Sequence, residues 1–266
     1  MVDHYDSLGD ALKAMEKVEA GRRANPRLPL IARLDGRAFH TLTRGLKRPF
    51  DPNFVQLMQE TLKHLVHETH ALVGYCQSDE ITLCWDNSAL PEDDPSEYLF
   101  GGKFQKLTSV LAGQASAYFA RKLPDFLPSK EKELPHFDCR VWNVPDSRTL
   151  YLNFLWRQED AIKNSISMAA QAHFSHKRLN GVGSEEKKRL LAEIGHPWEN
   201  EPMELKYGTF ARRRVVEAEL SPEELARLPE KHRPTGPVLR KRSQVELFCL
   251  EHLGSVESAS ELLFGR

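Results

Sequence analysis

Two short runs carry the residues with the most chemistry to offer. Leu30-Ile31-Ala32-Arg33-Leu34-Asp35-Gly36-Arg37 is an apolar run that stops on a carboxylate and a glycine. Tyr75-Cys76-Gln77-Ser78-Asp79-Glu80-Ile81-Thr82-Leu83 sets a second carboxylate at the edge of another apolar run. Two aspartates brought side by side are hard oxygen donors suited to magnesium, which keeps water and phosphate oxygens as its other ligands. Phosphoryl and nucleotidyl transfer use such ions, often two of them about 3.5 to 4 Å apart, to neutralise phosphate charge and activate an attacking hydroxyl. Gly36 permits the close approach through which a backbone carbonyl could join them. Asp35 and Asp79 are therefore the candidate catalytic residues. Each fragment alone has a plainer reading, because Asp-Gly is a common turn dipeptide and Ser-Asp suits a hairpin loop.

Around this pair, Arg37, Arg48, Lys103 and Lys106 are candidate contacts to a triphosphate, with Phe39 and His40 nearby to touch a base or sugar. Glu80 follows Asp79 on its strand, points to the opposite face, and is the poorer ligand candidate. Other chemistries lack their signatures. The chain has no GxxxxGK[ST] phosphate loop and no GxGxxG fingerprint, its 11 histidines show no HExxH or zinc spacing, and Ser and Cys nucleophile motifs are missing. Cys76, Cys84, Cys139 and Cys249 form no CxxC pair and read as reduced core thiols.

The pattern of apolar residues supplies the elements that must hold these groups. A helix is expected over 7–22, then a buried strand at Leu30–Leu34 and a basic loop from Gly36 to Asp51. Asp51-Pro52 opens a second helix, with proline at its first position. Strands at 71–77 and 81–85 have hairpin spacing, a helix runs from Gly101-Gly102 to Pro124, and a strand covers 137–144. The order strand, helix, strand, strand, helix, strand is the split βαβ or ferredoxin-like arrangement. Its antiparallel sheet has the helices on one face and sets the first and third strands side by side. Asp35 and Asp79 then converge at one edge. Residues 1–148 form this catalytic domain with its N-terminal helix; 149–266 read as a mainly helical, basic region packed on it, with an apolar helical pattern through Val245, Leu247, Phe248 and Leu250.

Bulk properties narrow the class further. With 266 residues, 40% apolar and 28% charged, the chain can bury a core without staples. A net charge of −1 excludes a uniformly basic nucleic-acid binder, though not a basic face. Nothing approaches the roughly 20 apolar residues of a membrane span, and the N-terminus is acidic and polar, so a cytoplasmic protein without membrane contact is expected.

Five ordered runs carry a resemblance. Arg33-Leu34-Asp35-Gly36-Arg37-Ala38-Phe39-His40, Gln77-Ser78-Asp79-Glu80, Phe137-Asp138-Cys139-Arg140, Trp156-Arg157-Gln158-Glu159-Asp160 and Lys206-Tyr207-Gly208-Thr209 resemble those of the tRNA-His guanylyltransferase family. The resemblance spans about residues 30–210. It implies an α+β, polymerase-palm-like fold, 3′-to-5′ addition of nucleotides to the 5′ end of tRNA, and a homotetramer. It also implies ligation of two Mg2+ ions by Asp35, the Gly36 carbonyl and Asp79, with Ser78, Ala38 and the rest of 35–40 around the nucleotide and ATP or GTP as activating substrate. One departure is informative: where the eukaryotic enzymes carry His-Ile-Asn-Asn, this chain reads Ile162-Lys163-Asn164-Ser165. The histidine is gone and Asn164 remains, which resembles the branch that repairs 5′-truncated tRNA on a template. Lys187-Lys188-Arg189, Arg212-Arg213-Arg214 and Arg240-Lys241-Arg242 are candidate tRNA backbone contacts. Two rivals stay open: a palm-type nucleotide cyclase, with the same carboxylates but no RNA surface, and a non-catalytic RNA-binding module, which would expose aromatics on its central strands.

Overall fold

The computed structural model describes residues 2–88, 90–91, 96–227, 229, 236, 239–255 and 258–265. In chain order the elements are α1 (Val2–Ala20), β1 (Leu30–Gly36), α2 (Phe39–Leu42), α3 (Pro52–Thr69), β2 (Val73–Gln77), β3 (Glu80–Trp85), α4 (Phe104–Phe126), β4 (Phe137–Asn143), α5 (Ser147–His173), α6 (His176–Leu179), α7 (Ser184–Glu193), α8 (Met203–Tyr207), β5 (Thr209–Glu219), α9 (Pro222–Arg227), β6 (Leu239–Phe248) and α10 (Ala259–Phe264). The local signals act as chemistry requires. Asp51 caps α3, its carboxylate accepting from the Asn53 and Phe54 N–H groups at 3.0 and 3.4 Å, and Pro52 fills a position that needs no donor. Asp146 does the same for α5, accepting from Thr149 N–H at 2.7 Å.

All six strands make one antiparallel sheet in the order β4-β1-β3-β2-β5-β6. The split βαβ unit is present as expected, with β1 directly against β3. Alternation along β1 divides its side chains between two layers. Leu30, Ala32 and Leu34 join Ile81, Leu83 and the inner stripes of α3 and α4. Ile31 faces the other way, into a second cluster with Tyr75, Leu150, Phe154 and Phe210. Helices thus cover both faces, α3 and α4 one side and α5 the other. A third cluster joins the end of α5 to α7 through Ile166, Ala170, Leu190, Leu191 and Trp198.

The region 149–266 departs from expectation in one respect. Beside its helices it supplies β5 and β6, which extend the sheet through β2, so the sheet runs across the expected division at 148. Val245, Leu247 and Phe248, read as a helical pattern, belong to β6. Residues 228, 230–235 and 237–238 of the charge-rich stretch lie outside the described residues. Gln158, fully buried in α5, fastens this region down. It donates to the carbonyls of Tyr207, Leu250 and Glu251 at 3.1 to 3.3 Å and accepts from Leu253 N–H at 2.7 Å. Among the described residues the four cysteines are free thiols, and no helix is long and apolar enough to cross a membrane.

Candidate active site

The end of β1 and the β2–β3 hairpin meet as the topology requires. Gly36 N–H donates to the Asp79 carbonyl at 3.0 Å, and Asp35 pairs across the ladder with Glu80 on one side and Asp138 on the other. Asp79 occupies the two-residue turn between β2 and β3. Burial pushes its carboxyl above the usual carboxylate range, and the charge of Asp35 pushes it the same way; the Ser78 hydroxyl and His40 oppose them. Two carboxylates held close in a partly desolvated corner form a site that a cation would stabilise. Ser78 donates to Asp79 Oδ1 at 3.2 Å from a backbone with φ 48°, and Ala38, on the loop after Asp35, has φ 58°. Left-handed conformations at residues other than glycine are strained; these two flank the carboxylates, while His70, Phe100 and Ser258 adopt them elsewhere.

Gly36 is explained by packing. A Cβ there would lie 2.5 Å from the Phe39 ring, which fills the space a side chain would take. Gly36→Ala is expected to displace Phe39 and lower stability by about 1 to 3 kcal/mol, read as a drop in the urea midpoint at unchanged slope.

Glu80 lies on the face shared with Asp35, as its direct cross-strand neighbour. The alternation that separates it from Asp79 therefore does not separate it from the site. It is a poor ligand for another reason. Arg157 of α5 holds it with two hydrogen bonds, Nε to Oε1 at 2.7 Å and Nη2 to Oε2 at 2.9 Å, and bonds Asp160 at 2.9 Å as well. Burial raises the Glu80 carboxyl although the Arg157 guanidinium opposes the shift.

A cavity of about 420 Å³ opens beside the hairpin. Ser78 and Asp79 line one part of it, α2 contributes His40, and the loop between α2 and α3 contributes Arg44, Lys47 and Arg48. Asn164, Ser165 and Gln171 of α5 and Glu204 and Thr209 add a polar wall. The seven-residue step from Arg157 to Asn164 is about two helical turns, so one face of α5 grips the hairpin and borders the cavity. Arg44, Lys47, Gln171, Glu204 and Thr209 were not singled out from sequence. The basic composition of 37–48 marks the first two, whereas the last three arrive through long-range packing.

Of the expected nucleotide contacts, Ser78, Asp79, His40, Arg48 and Asn164 converge here. Four are placed differently from what their types suggested. Phe39 is 2% exposed and packs against Phe54, Phe119 and Phe137, so it is a core residue bordering the cavity and offers no free face for a base. Arg37 turns toward the loop before β4, with Nη1 at 3.0 Å from His136 Nε2. Lys103 pairs with Arg23 in an isolated bridge, and the Lys106 ammonium lies 5.1 Å from the centre of the Phe100 ring. Both start α4, which must begin where β3 ends, beside Leu30; that is about 17 Å along the strand from Asp35.

The basic clusters are largely occupied within the chain. Arg212 and Arg214 reach Glu246, Arg213 donates to Ser243 and the His67 carbonyl, Arg242 meets Glu224, and Lys188 and Arg189 pair with Glu185 and Glu186.

Comparison with known proteins agrees with this geometry. The sequence model described as tRNAHis guanylyltransferase matches residues 12–145. The tRNA(His) guanylyltransferase of Saccharomyces cerevisiae is 26% identical over 207 residues, covering 71% of this chain and 84% of the yeast protein. That of Schizosaccharomyces pombe is 25% identical over 211 residues, with 74% and 78% covered. Among solved structures, a bacterial tRNA(His) guanylyltransferase-like protein in complex with ATP superposes with a TM-score of 0.71 at 34% identity, covering 78% of this chain and 87% of that one. A second such protein, in complex with GTP, has a TM-score of 0.67 at 28% identity, with 91% and 90% covered. The family match, the antiparallel palm and the paired carboxylates lead to one conclusion: the chain belongs to the tRNA(His) guanylyltransferase family and is a nucleotidyltransferase.

Proposed function

We propose that this enzyme adds nucleotides 3′-to-5′ to the 5′ end of tRNA and works as a template-directed repair enzyme on tRNAs truncated at that end. The observation that carries the reading is the cavity, whose one side is Asp79 and whose rim is cationic through Arg44, Lys47 and Arg48. It suits a nucleoside triphosphate with its phosphates toward the carboxylates. Asn164 lines the cavity, while Ile162 packs with the cluster between α5 and α7. The position where eukaryotic relatives carry histidine thus offers no polar group to a terminal guanosine, which supports repair over addition of a single untemplated G.

The donors near Asp35 fit magnesium. Two carboxylates and the Gly36 carbonyl are all hard oxygens, the donors that magnesium takes. Bound magnesium would neutralise phosphate charge and favour the deprotonated attacking hydroxyl. Asp35 and Asp79 would hold it, and the cationic rim would anchor the triphosphate. A 5′-monophosphate end first reacts with ATP or GTP, forming a phosphoanhydride and releasing pyrophosphate. The 3′-hydroxyl of the incoming nucleotide then attacks the tRNA 5′ α-phosphorus, a P–O bond forms, and the nucleoside monophosphate leaves; a 5′-triphosphate end loses pyrophosphate directly. Pairing with the opposite strand selects the nucleotide.

The test is incubation of the enzyme with magnesium, ATP, each labelled nucleoside triphosphate, and tRNAs intact or lacking their first nucleotide. Incorporation of the nucleotide complementary to the template, on several truncated tRNAs, is expected. Addition of G alone, confined to tRNA-His, would replace repair with single-G addition; a cyclic product made without RNA would indicate a cyclase.

A further inference from the structure

On the face opposite α3 and α4, α5 packs through Leu150 and Phe154 on Ile31 of β1, Tyr75 of β2 and Phe210 of β5, with Trp142 of β4 against the same cluster, and Arg157 reaches Glu80 nearer the Asp35 end. On β1 and β4 the same face carries Arg33 opposite Arg140 and Asp35 opposite Asp138. The side chains of Asp138 and Arg140 are 48% and 54% exposed. Trp156 of α5 is 51% exposed, with the Arg157 guanidinium 4.4 Å and the Arg33 guanidinium 5.8 Å from the centre of its ring. Arg33 has charge to spare. Among the described residues its Nε is buried with no hydrogen-bond partner, and the carboxylate nearest it, Glu80 at 3.9 Å, is already engaged by Arg157. Arg33 also lies two residues from Asp35 on one face of β1.

An exposed indole next to the Arg33 guanidinium, with Arg140 across the ladder from Arg33 and paired, among the described residues, only with the exposed Asp138 at 3.3 Å, matches a nucleic-acid strand, because bases stack on aromatic faces and phosphates take arginine. The catalytic carboxylates at its border disfavour an acidic peptide. The nucleotide cavity opens on the hairpin and α3 side, leaving the β1–β4 side for the second reactant. We infer that Trp156, Arg33 and Arg140 form the seat of the tRNA 5′ end, its terminal base stacked on Trp156 and its phosphates against the two guanidiniums beside Asp35. This rests on the transfer reaction proposed above and names the surface that presents the acceptor.

The test measures affinity for a 3′-fluorescein-labelled tRNA lacking its first nucleotide by anisotropy, and affinity for GTP by calorimetry. Trp156→Ala is expected to weaken tRNA binding about tenfold with GTP binding unchanged, and Trp156→Phe to restore most of the loss. Arg140→Gln is expected to reduce the slope of log affinity against log salt by about 0.7 to 0.9. Unchanged tRNA affinity in Trp156→Ala overturns the inference. So does joint loss of tRNA and GTP binding with a lower thermal midpoint, which makes Trp156 a packing residue. If the wild-type enzyme transfers nothing to any tRNA, the reaction reading fails while the affinity results still decide the surface; if it transfers and Trp156→Ala keeps its KM for tRNA, the surface alone fails.

Discussion

Asp79→Asn is expected to lower nucleotide addition at least a hundredfold while leaving the protein as stable as before, or more so. The activity loss follows from removing one of the two carboxylates that hold positive charge against the phosphates; a single such electrostatic contribution is worth about 3 kcal/mol of barrier. The stability follows from the environment. Burial and the charge of Asp35 both raise the Asp79 carboxyl above its ordinary range. A carboxyl so raised favours the fold only when protonated, and that contribution is lost as pH rises through its folded-state value, so at neutral pH the ionised group opposes folding. Asparagine has no charge to lose. A third readout separates ligation from packing: magnesium should raise the thermal midpoint of the wild-type protein by linkage and have a smaller effect on the variant. Comparable midpoints with and without magnesium in both proteins would remove Asp79 from the metal site.

Arg157→Ala should have the opposite profile, a large loss of stability. The guanidinium is 7% exposed and its removal strands Glu80, 11% exposed, in the same interior. Breaking one half of a buried pair costs about 3 to 5 kcal/mol, because the remaining charge is left without compensation. For a chain of this size that is a fall on the order of 10 °C in thermal midpoint. The double variant Arg157→Met with Glu80→Gln should recover much of it, since the penalty belongs to the orphaned charge. Equal losses in the single and double variants would show that the two side chains are not energetically coupled. Because Glu80 follows Asp79 and faces Asp35, activity should track the integrity of the pair.

The first four strands and α3 and α4 were legible because each is bounded by local punctuation: Asp51-Pro52 before α3, Pro145 after β4, and a two-residue turn in the hairpin. The convergence of Asp35 and Asp79 was legible too, as a product of topology. β5 was hidden because Arg212, Arg213 and Arg214 interrupt any alternation, and only pairing with β2 and β6 makes the segment a strand. Phe39 looked like a ligand contact from its place in the motif, and the absent side chain of Gly36 makes it core instead. The displacement of Lys103 and Lys106 was derivable in principle: a helix that follows β3 must start at the end remote from Asp35. Glu80 required its partner, which lies 77 residues away.

β5 has eleven residues, and β2 pairs only with Thr209, Phe210, Ala211 and Arg212. Beyond them its ladder is with β6 alone, and Arg213 ties it to the His67 carbonyl of α3. Opening the ladder at Phe210 or Ala211, both fully buried, would breach the core, whereas at Val215, 71% exposed, it breaks little beyond the ladder itself. One strand therefore spans two regimes of hydrogen exchange, global unfolding at its start and local fraying along its outer half. Thr209 lies beside Cys76 near the hairpin, and the chain runs away from Asp79 past Arg212. The outer ribbon can separate and re-pair without the carboxylates registering the event.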